Sequence, residues 1–259
     1  CLRDLGADVT YHVPNRETEG HGISLPALDR AIDAGARLIL TCDTGIAAHE
    51  AVNHARSRHV DVVITDHHDL PATLPDAVAV ISPKLTTPNG DTPHPLYDLP
   101  GVGVAYKLAE GLYDWARRPD DAARLLDLVA LGIVADLAVL RGDTRYLLQQ
   151  GLAALRRTQR LGLQVLMETA ELDPTHLSEE HIGFVIAPRL NAAGRLADAT
   201  PCVELLTLGE GGPRTTDRLR QDLTRARIIA ADLQTLNARR KLECDAVERA
   251  AEAQIQRDP

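Results

Sequence analysis

The chain has 259 residues, of which 44% are hydrophobic and 25% charged, a composition typical of a folded globular domain with a sizeable core. Its apolar runs are shorter than the roughly 18–20 residues that a membrane-spanning helix needs, and its first residues do not resemble a signal peptide. The net charge of −9 argues weakly against nucleic-acid binding and favours an enzyme of small metabolites, although metal-binding carboxylates also count toward that total.

Cysteine and aromatic usage give two further expectations. The four cysteines are scattered, with no Cys-x-x-Cys pair, which predicts reduced thiols in a cytoplasmic protein without membrane contact. Only 3% of the residues are aromatic. Because single-strand binders hold bases on aromatic platforms, we expect base stacking to take place mainly outside this segment.

The first 85 residues alternate between apolar strands and helices. The predicted strands are Asp8–Val13, Arg37–Cys42, Asp61–Thr65 and Ala77–Ile81, and the predicted helices are Ser24–Ala34 and Ile46–Arg58. Continuously apolar strands that alternate with helices predict an α/β fold, in which a parallel β-sheet has helices on both faces.

A Pro- and Gly-rich loop, Thr86–Pro100, precedes a mainly helical region at 101–208. The periodicity predicts helices over Val102–Trp115, Asp121–Leu137, Thr144–Arg156, Leu163–Thr169, Ser178–Ala187 and Asp198–Leu208. We therefore assign residues 1–208 to one domain.

After the break at Gly209–Pro213, residues 215–256 predict one long amphipathic helix with an apolar seam at Leu219, Leu223, Leu233, Leu236 and Leu242. Such a helix either packs on its own core or connects two domains. Its length favours a connector over residues 213–259.

Polar side chains follow two of the predicted strands. Asp43 comes after the second strand, and Asp66, His67 and His68 come after the third. Ligands of open α/β sheets bind beyond the carboxyl ends of the strands, and carboxylate with imidazole is a plausible divalent-metal site. The alternatives are that Asp43 caps the following helix and that the histidines are ordinary loop residues.

Two more features invite a functional interpretation. Asp136 lies in an apolar run, Leu125–Leu140, so we expect a buried carboxylate that needs a metal or another partner. After a helix that is predicted to end at Pro188, Arg189, Asn191 and Arg195 cluster among small residues. They predict either a phosphate-binding surface or a helical joint with solvated arginines.

Several segments, in order, resemble the DHH phosphoesterases, and among them the RecJ type of single-strand exonuclease. Asp66-His67-His68 matches the motif that names the family. The other segments are V-P-N-R-x-x-x-G-x-G at 13–22, C-D-T-G-I at 42–46, G-V-G-V-A at 101–105, L-D-L-V-A-L-G-I-V-A-D at 126–136 and P-R-L-N-A-A-G-R-L at 188–196. The likeness spans roughly residues 8 to 245.

The resemblance implies metal-assisted hydrolysis of phosphodiesters in single-stranded DNA, from the 5′ end, in DNA repair and recombination. It implies two Mn²⁺ or Mg²⁺ ions, with Asp43, His67 and Asp136 as ligands and Asp43 bridging both. His68 would act at the scissile phosphate, and Asp66 would orient His67 or another ligand.

The resemblance also implies that Arg189, Asn191 and Arg195 face the substrate phosphate.

Two motifs of the family are not found in the sequence: an Asp-x-Asp strand upstream and a Gly-Gly-His-Ala motif downstream. We therefore expect this chain to bind one divalent ion at most and to show little nuclease activity. Two alternatives stay open, a DHH phosphodiesterase of oligonucleotides or cyclic dinucleotides, and a non-catalytic DHH-like scaffold that binds nucleic acid.

Overall fold

A computed structural model describes residues 1–15, 18–20, 22–86, 94–210 and 215–257. The chain forms two compact units, Cys1–Arg157 and Thr158–Pro259. The predicted order of an α/β region, a helical region and a long final helix is confirmed. The predicted domain limits, 1–208 and 213–259, concern family modules rather than compact units and stay a prediction.

The first unit contains a parallel sheet of three strands, in the order β1 (Leu38–Cys42), β2 (Asp61–Thr65) and β3 (Ala79–Ile81). Cys42 pairs with Thr65, and Thr65 pairs with Ile81. The three strands therefore end at the same level, and the residues that follow β1 and β2 emerge side by side.

The helices α1 (Leu25–Asp33) and α2 (His49–Ser57) bury their apolar residues against the sheet. The cluster that they form with β2 is built from Leu28, Ala51, Val52, Ala55, Val60, Val62 and Ile64. The helix α3 (Gly101–Trp115) also packs on β1 and β2. The prediction of a parallel sheet flanked by helices is confirmed.

Two strand predictions are wrong. Asp8–Val13 forms no strand, because its backbone has no neighbouring strand to pair with among the described residues, and the Val9 carbonyl accepts from the Arg3 side chain instead. A parallel sheet with helices on both faces is expected to bury its apolar strands, but Leu38 of β1 is 56% exposed. In the described part of the sheet β1 pairs only with β2 and is an edge strand.

Two more helices complete the first unit, α4 (Leu126–Ala135) and α5 (Gly142–Leu155). The single helix predicted over Asp121–Leu137 is instead a 3₁₀ segment, Pro119–Leu125, followed by α4. A β-carbon added at Gly132 would lie 2.6 Å from the β-carbon of Val102. Glycine therefore lets α3 and α4 approach closely.

The second unit is helical. Its first elements are α6 (Leu161–Thr169), α7 (Glu179–His181), a π-helical turn (Ile182–Ile186), α8 (Ala187–Leu196) and α9 (Thr200–Thr207). The predicted helix end at Pro188 is wrong. Proline lacks an N–H group and its ring crowds the preceding turn, but both effects are tolerated at the first turn of α8, directly after the π turn.

The final helix, α10 (Thr216–Arg257), confirms the long helix predicted from residue 215. Its first half packs against α6, α8 and α9 and buries Ala226, Ile229, Ala230, Leu233 and Asn237, while residues 241–255 are exposed. Leu219 and Leu242 are also exposed, so the predicted seam is wrong at these positions. Within the described ranges, no helix is long and apolar enough to cross a membrane.

We expect Gly132→Ala to lower the free energy of unfolding by about 1–3 kcal/mol, because the new methyl group would overpack the α3–α4 contact. Gly111→Ala is the matched control. Gly111 lies in α3, and a β-carbon added there would meet no described atom within 4 Å. It should raise the stability by up to about 1 kcal/mol. Urea unfolding of both variants measures this, and equal effects would contradict the packing argument.

Candidate metal centre

Asp43 leaves β1 in an unusual backbone conformation. Its φ is +62°, in the left-handed region that few residues other than glycine adopt, and Gly45 has a φ of +108°. The Thr41 hydroxyl donates to the Thr44 carbonyl at 2.7 Å, and the Asp43 N–H donates to the Thr65 carbonyl at 3.0 Å. These bonds hold a strained turn that places the Asp43 carboxylate at the sheet edge.

Asp66 is the buried anchor of the loop that follows β2. It is 1% exposed. Its Oδ1 accepts from the His67 N–H at 2.7 Å, the His68 N–H at 3.2 Å and the His68 ring Nδ1 at 2.6 Å. Its Oδ2 accepts from the Ile46 N–H at 2.9 Å, which ties this loop to the turn after β1.

The electrostatics of Asp66 follow from these bonds. Burial alone raises the pKa of Asp66, but the hydrogen bonds from Ile46, His68 and His67 outweigh it, and the pKa lies below its ordinary value. Asp66 is therefore a charged group that positions its neighbours. The role implied for Asp66, orienting His67 or another ligand, stays a prediction. Its carboxylate accepts from the backbone N–H of His67 and from the ring of His68.

Asp43, His67 and His68 come together at the sheet edge. One ligand atom from each lies within 4.8 Å of the others. His67 Nε2 is 3.0 Å from Asp43 Oδ1 and 3.7 Å from Asp136 Oδ2. The hydrogen bond to Asp43 raises the pKa of His67 above its ordinary value, against the opposing effect of burial.

Asp136 reaches the same place from α4 but is not buried as predicted. It is the C-terminal cap of that helix, and its side chain is 43% exposed. The apolar helix ends one residue earlier, so the carboxylate emerges from the core. Partial burial of the carboxylate and the nearby negative charge of Asp43 raise the pKa of Asp136, although His67 opposes this.

Gly101 is a residue of the site to which the sequence analysis assigns no role, although it begins the G-V-G-V-A segment. A β-carbon there would lie 2.3 Å from Oδ1 of Asp43. Any side chain at this position would displace the carboxylate. Gly101 is also the first residue of α3, so Asp43 lies at a helix N-terminus, which favours a negative charge.

The three predicted phosphate ligands lie on α8, in the second unit. Arg189 donates from Nε to Gln234 Oε1 at 2.7 Å and from Nη1 to the Val185 carbonyl at 2.6 Å. Asn191 and Arg195 are exposed. Their assignment to the substrate phosphate stays a prediction. The loop motif at 13–22 falls partly outside the described residues, since Arg16, Glu17 and His21 are not described.

The donor set suits a divalent cation. Carboxylate oxygens and imidazole nitrogens converge from β1, β2 and α4, and such mixed ligands bind ions such as Mn²⁺. In addition, two carboxylates, Asp43 and Asp136, share one histidine between them. A cation at this point would relieve their mutual repulsion.

Comparison with known proteins places this centre in a family. The profile of the DHH family, N-terminal domain, matches residues 1–133, just over half of the chain. The chain belongs to the DHH family. The matched part of the chain includes Asp43, Asp66, His67 and His68.

Relatives of this chain include two proteins named single-stranded-DNA-specific exonuclease RecJ. The one from Salmonella typhimurium is 41% identical over 93% of this chain and 41% of its own length. The one from Bacillus subtilis is 40% identical over 93% of this chain and 28% of its own length. The chain thus spans less than half the length of these relatives.

Two solved structures have the same fold. A crystal structure of exonuclease RecJ bound to manganese has a TM-score of 0.81 and 32% identity, over 98% of this chain and 60% of its own. The structure of RecJ from Thermus thermophilus in complex with Mn²⁺ has a TM-score of 0.78 and 30% identity, over 96% of this chain and 33% of its own.

We expect Asp66→Asn to lower the free energy of unfolding by about 1–3 kcal/mol, because an amide leaves at least one buried N–H of the loop without an acceptor. The control is Asp69→Asn, an exposed residue of the same loop, which should change stability by less than about 0.5 kcal/mol. Chemical unfolding monitored by circular dichroism compares them. Equal stability of the two variants would show that Asp66 does not anchor the loop.

Proposed function

We propose that the protein containing this chain is a metal-dependent phosphoesterase that removes nucleotides from the 5′ end of single-stranded DNA. The observation that carries the proposal is the convergence of Asp43, His67 and His68, with Asp136 beside them, at the carboxyl edge of the sheet. The similarity to RecJ exonucleases over most of this chain supports the substrate and a role in DNA repair and recombination.

Asp43, His67 and Asp136 would hold a Mn²⁺ or Mg²⁺ ion. When bound, such an ion polarises the phosphoryl oxygen and lowers the pKa of a water molecule. Asp43 brings a carboxylate on a rigid, strained turn, and His67 brings its Nε2. Asp136 comes from the end of α4, so the ligands are supported by three separate elements.

His68 is suited to act on the leaving group. Its Nδ1 is held by Asp66 at 2.6 Å, and its side chain is 59% exposed. A carboxylate on Nδ1 fixes the ring orientation and favours a proton on that nitrogen. In the imidazolium form the other nitrogen, Nε2, carries a second proton, which it can donate to the scissile phosphate in a hydrogen bond or transfer to the departing oxygen.

Arg189, Asn191 and Arg195 would bind the phosphates of the strand. Guanidinium groups grip phosphate with paired hydrogen bonds, and an asparagine amide adds a neutral donor. The acidic total charge does not oppose this, because the proposed basic surface is local. The cysteines at 1, 42, 202 and 244 are free thiols, which supports a cytoplasmic location.

We expect the 259-residue chain to bind one Mn²⁺ ion in calorimetric titration, and His67→Ala or Asp43→Asn to weaken binding at least about tenfold, since each removes a ligand. Asparagine suits the left-handed backbone at position 43, so this variant keeps the turn. The control is His176→Ala, whose imidazole pairs with Asp173 on the surface. Two tight sites per chain, or equal loss in the control, would contradict this assignment.

We expect the complete product of the gene to release mononucleotides from 5′-labelled single-stranded DNA when Mn²⁺ is present, and His67→Ala to reduce the rate by about 100-fold or more, because the ion supplies several kcal/mol of transition-state stabilisation. His176→Ala should leave the rate unchanged. Hydrolysis of a dinucleotide but not of long strands would instead support an oligonucleotide phosphodiesterase. Binding of DNA without any hydrolysis would support a scaffold.

A further inference from the structure

Phe184 is an unusual surface residue. It is the only phenylalanine in the chain, and it is 80% exposed. It lies in the middle of the π-helical turn, whose end residues Ile182 and Ile186 are fully buried. The turn thus places two isoleucines in the core and the aromatic ring in solvent.

The ring lies on one face with two predicted phosphate ligands. Phe184, Pro188, Asn191 and Arg195 follow one another at spacings of four, three and four residues, which places them on one side of a helix. We call them the outer stripe. Phe184, Asn191 and Arg195 are all exposed, whereas Ala193 on the opposite side of α8 is buried.

The dimensions of the outer stripe suit a nucleotide chain. With about 1.5 Å of rise per residue, Phe184 and Asn191 are separated by about 10 Å along the axis, and Asn191 and Arg195 by about 6 Å. An aromatic ring followed by an amide and a guanidinium presents a surface for a base and then for phosphate. It is not a continuous apolar patch of the kind that docks another protein.

The backbone makes this face rigid. Single π turns inside helices concentrate at functional sites. Directly after this turn, Pro188 contributes no N–H, and Nη1 of Arg189 donates to the carbonyl of Val185, the residue next to Phe184. A second bond, from Arg189 Nε to Gln234 of α10, fixes the same side chain.

We infer that Phe184 is a stacking platform for a base of single-stranded DNA whose phosphates lie along Asn191 and Arg195. This inference rests on the proposed function and deepens it. A base has an apolar face that matches an exposed ring, and its phosphate complements a guanidinium. The expectation that base stacking takes place outside this segment then has an exception at this position.

Trp115 offers an internal control. It is as exposed as Phe184, at 84%. It ends α3, whereas the first residue of α3, Gly101, touches Asp43. Fourteen residues of helix separate the two, or about 21 Å. Trp115 is therefore distant from the metal centre.

The test is the binding of the chain to a labelled oligothymidine, measured by fluorescence anisotropy in EDTA so that no cleavage occurs. Phe184→Ala should bind about 5- to 150-fold more weakly, the range that corresponds to the loss of one base–aromatic stacking contact. Phe184→Trp should bind like the unaltered chain. Phe184→Leu should be weakened, because leucine is apolar but cannot stack. Trp115→Ala should not change binding.

A second oligonucleotide has the same length but carries abasic sugars. It distinguishes the loss of base stacking from a disturbance of the protein's own packing. Phe184→Ala and the unaltered chain should bind this ligand with equal affinity, since it has no base that could stack on the ring. Equal binding of both to oligothymidine, or an equal loss on both ligands, would overturn the inference. If the unaltered chain does not bind oligothymidine, the inference also fails. If binding follows the expectation but the complete protein hydrolyses no DNA, only the proposed function fails.

Discussion

The buried carboxylate of Asp66 is the interaction on which the site depends. Four donors converge on its two oxygens, and they belong to two separate loops. One is the Ile46 N–H beyond β1, and the others are the two backbone N–H groups and the ring of the histidine pair. Because β1 and β2 end at the same level, a single anion can satisfy both loops. A buried charge is tolerated here because every bond is a charge-assisted one.

Around this anchor, the metal centre concentrates negative charge that the fold alone does not neutralise. Asp43 is held in a strained turn against Gly101, and Asp136 emerges from the end of an apolar helix. His67 lies between them, and the pKa values of His67 and Asp136 are both raised. Strain and like charge at one point are costs to stability that a bound cation would offset.

In the helical unit, too, an irregular backbone segment lies next to exposed polar side chains. A proline that ended the helix in the sequence-based prediction instead lies inside a continuous run of helix, because a π turn precedes it. The outcome is that Arg189, Asn191 and Arg195 lie on a helix and not on a flexible joint. The ring of Phe184 then has a defined orientation relative to Asn191 and Arg195.

The sequence by itself determined the alternation of strands and helices, the long final helix and the membership of Asp43, His67 and His68 in one edge cluster, because hydrophobic periodicity and the polar residues after strands are local signals. It did not determine that Asp8–Val13 lacks a strand partner and that β1 is an edge in the part of the chain that the structure describes, or that Asp136 is exposed, since each depends on the neighbouring elements. The contact between Gly101 and Asp43 could not be predicted from the sequence, because the two residues are far apart in the chain. Only the tertiary structure decided these points, because burial, strain and close approach are properties of packed elements and not of single segments.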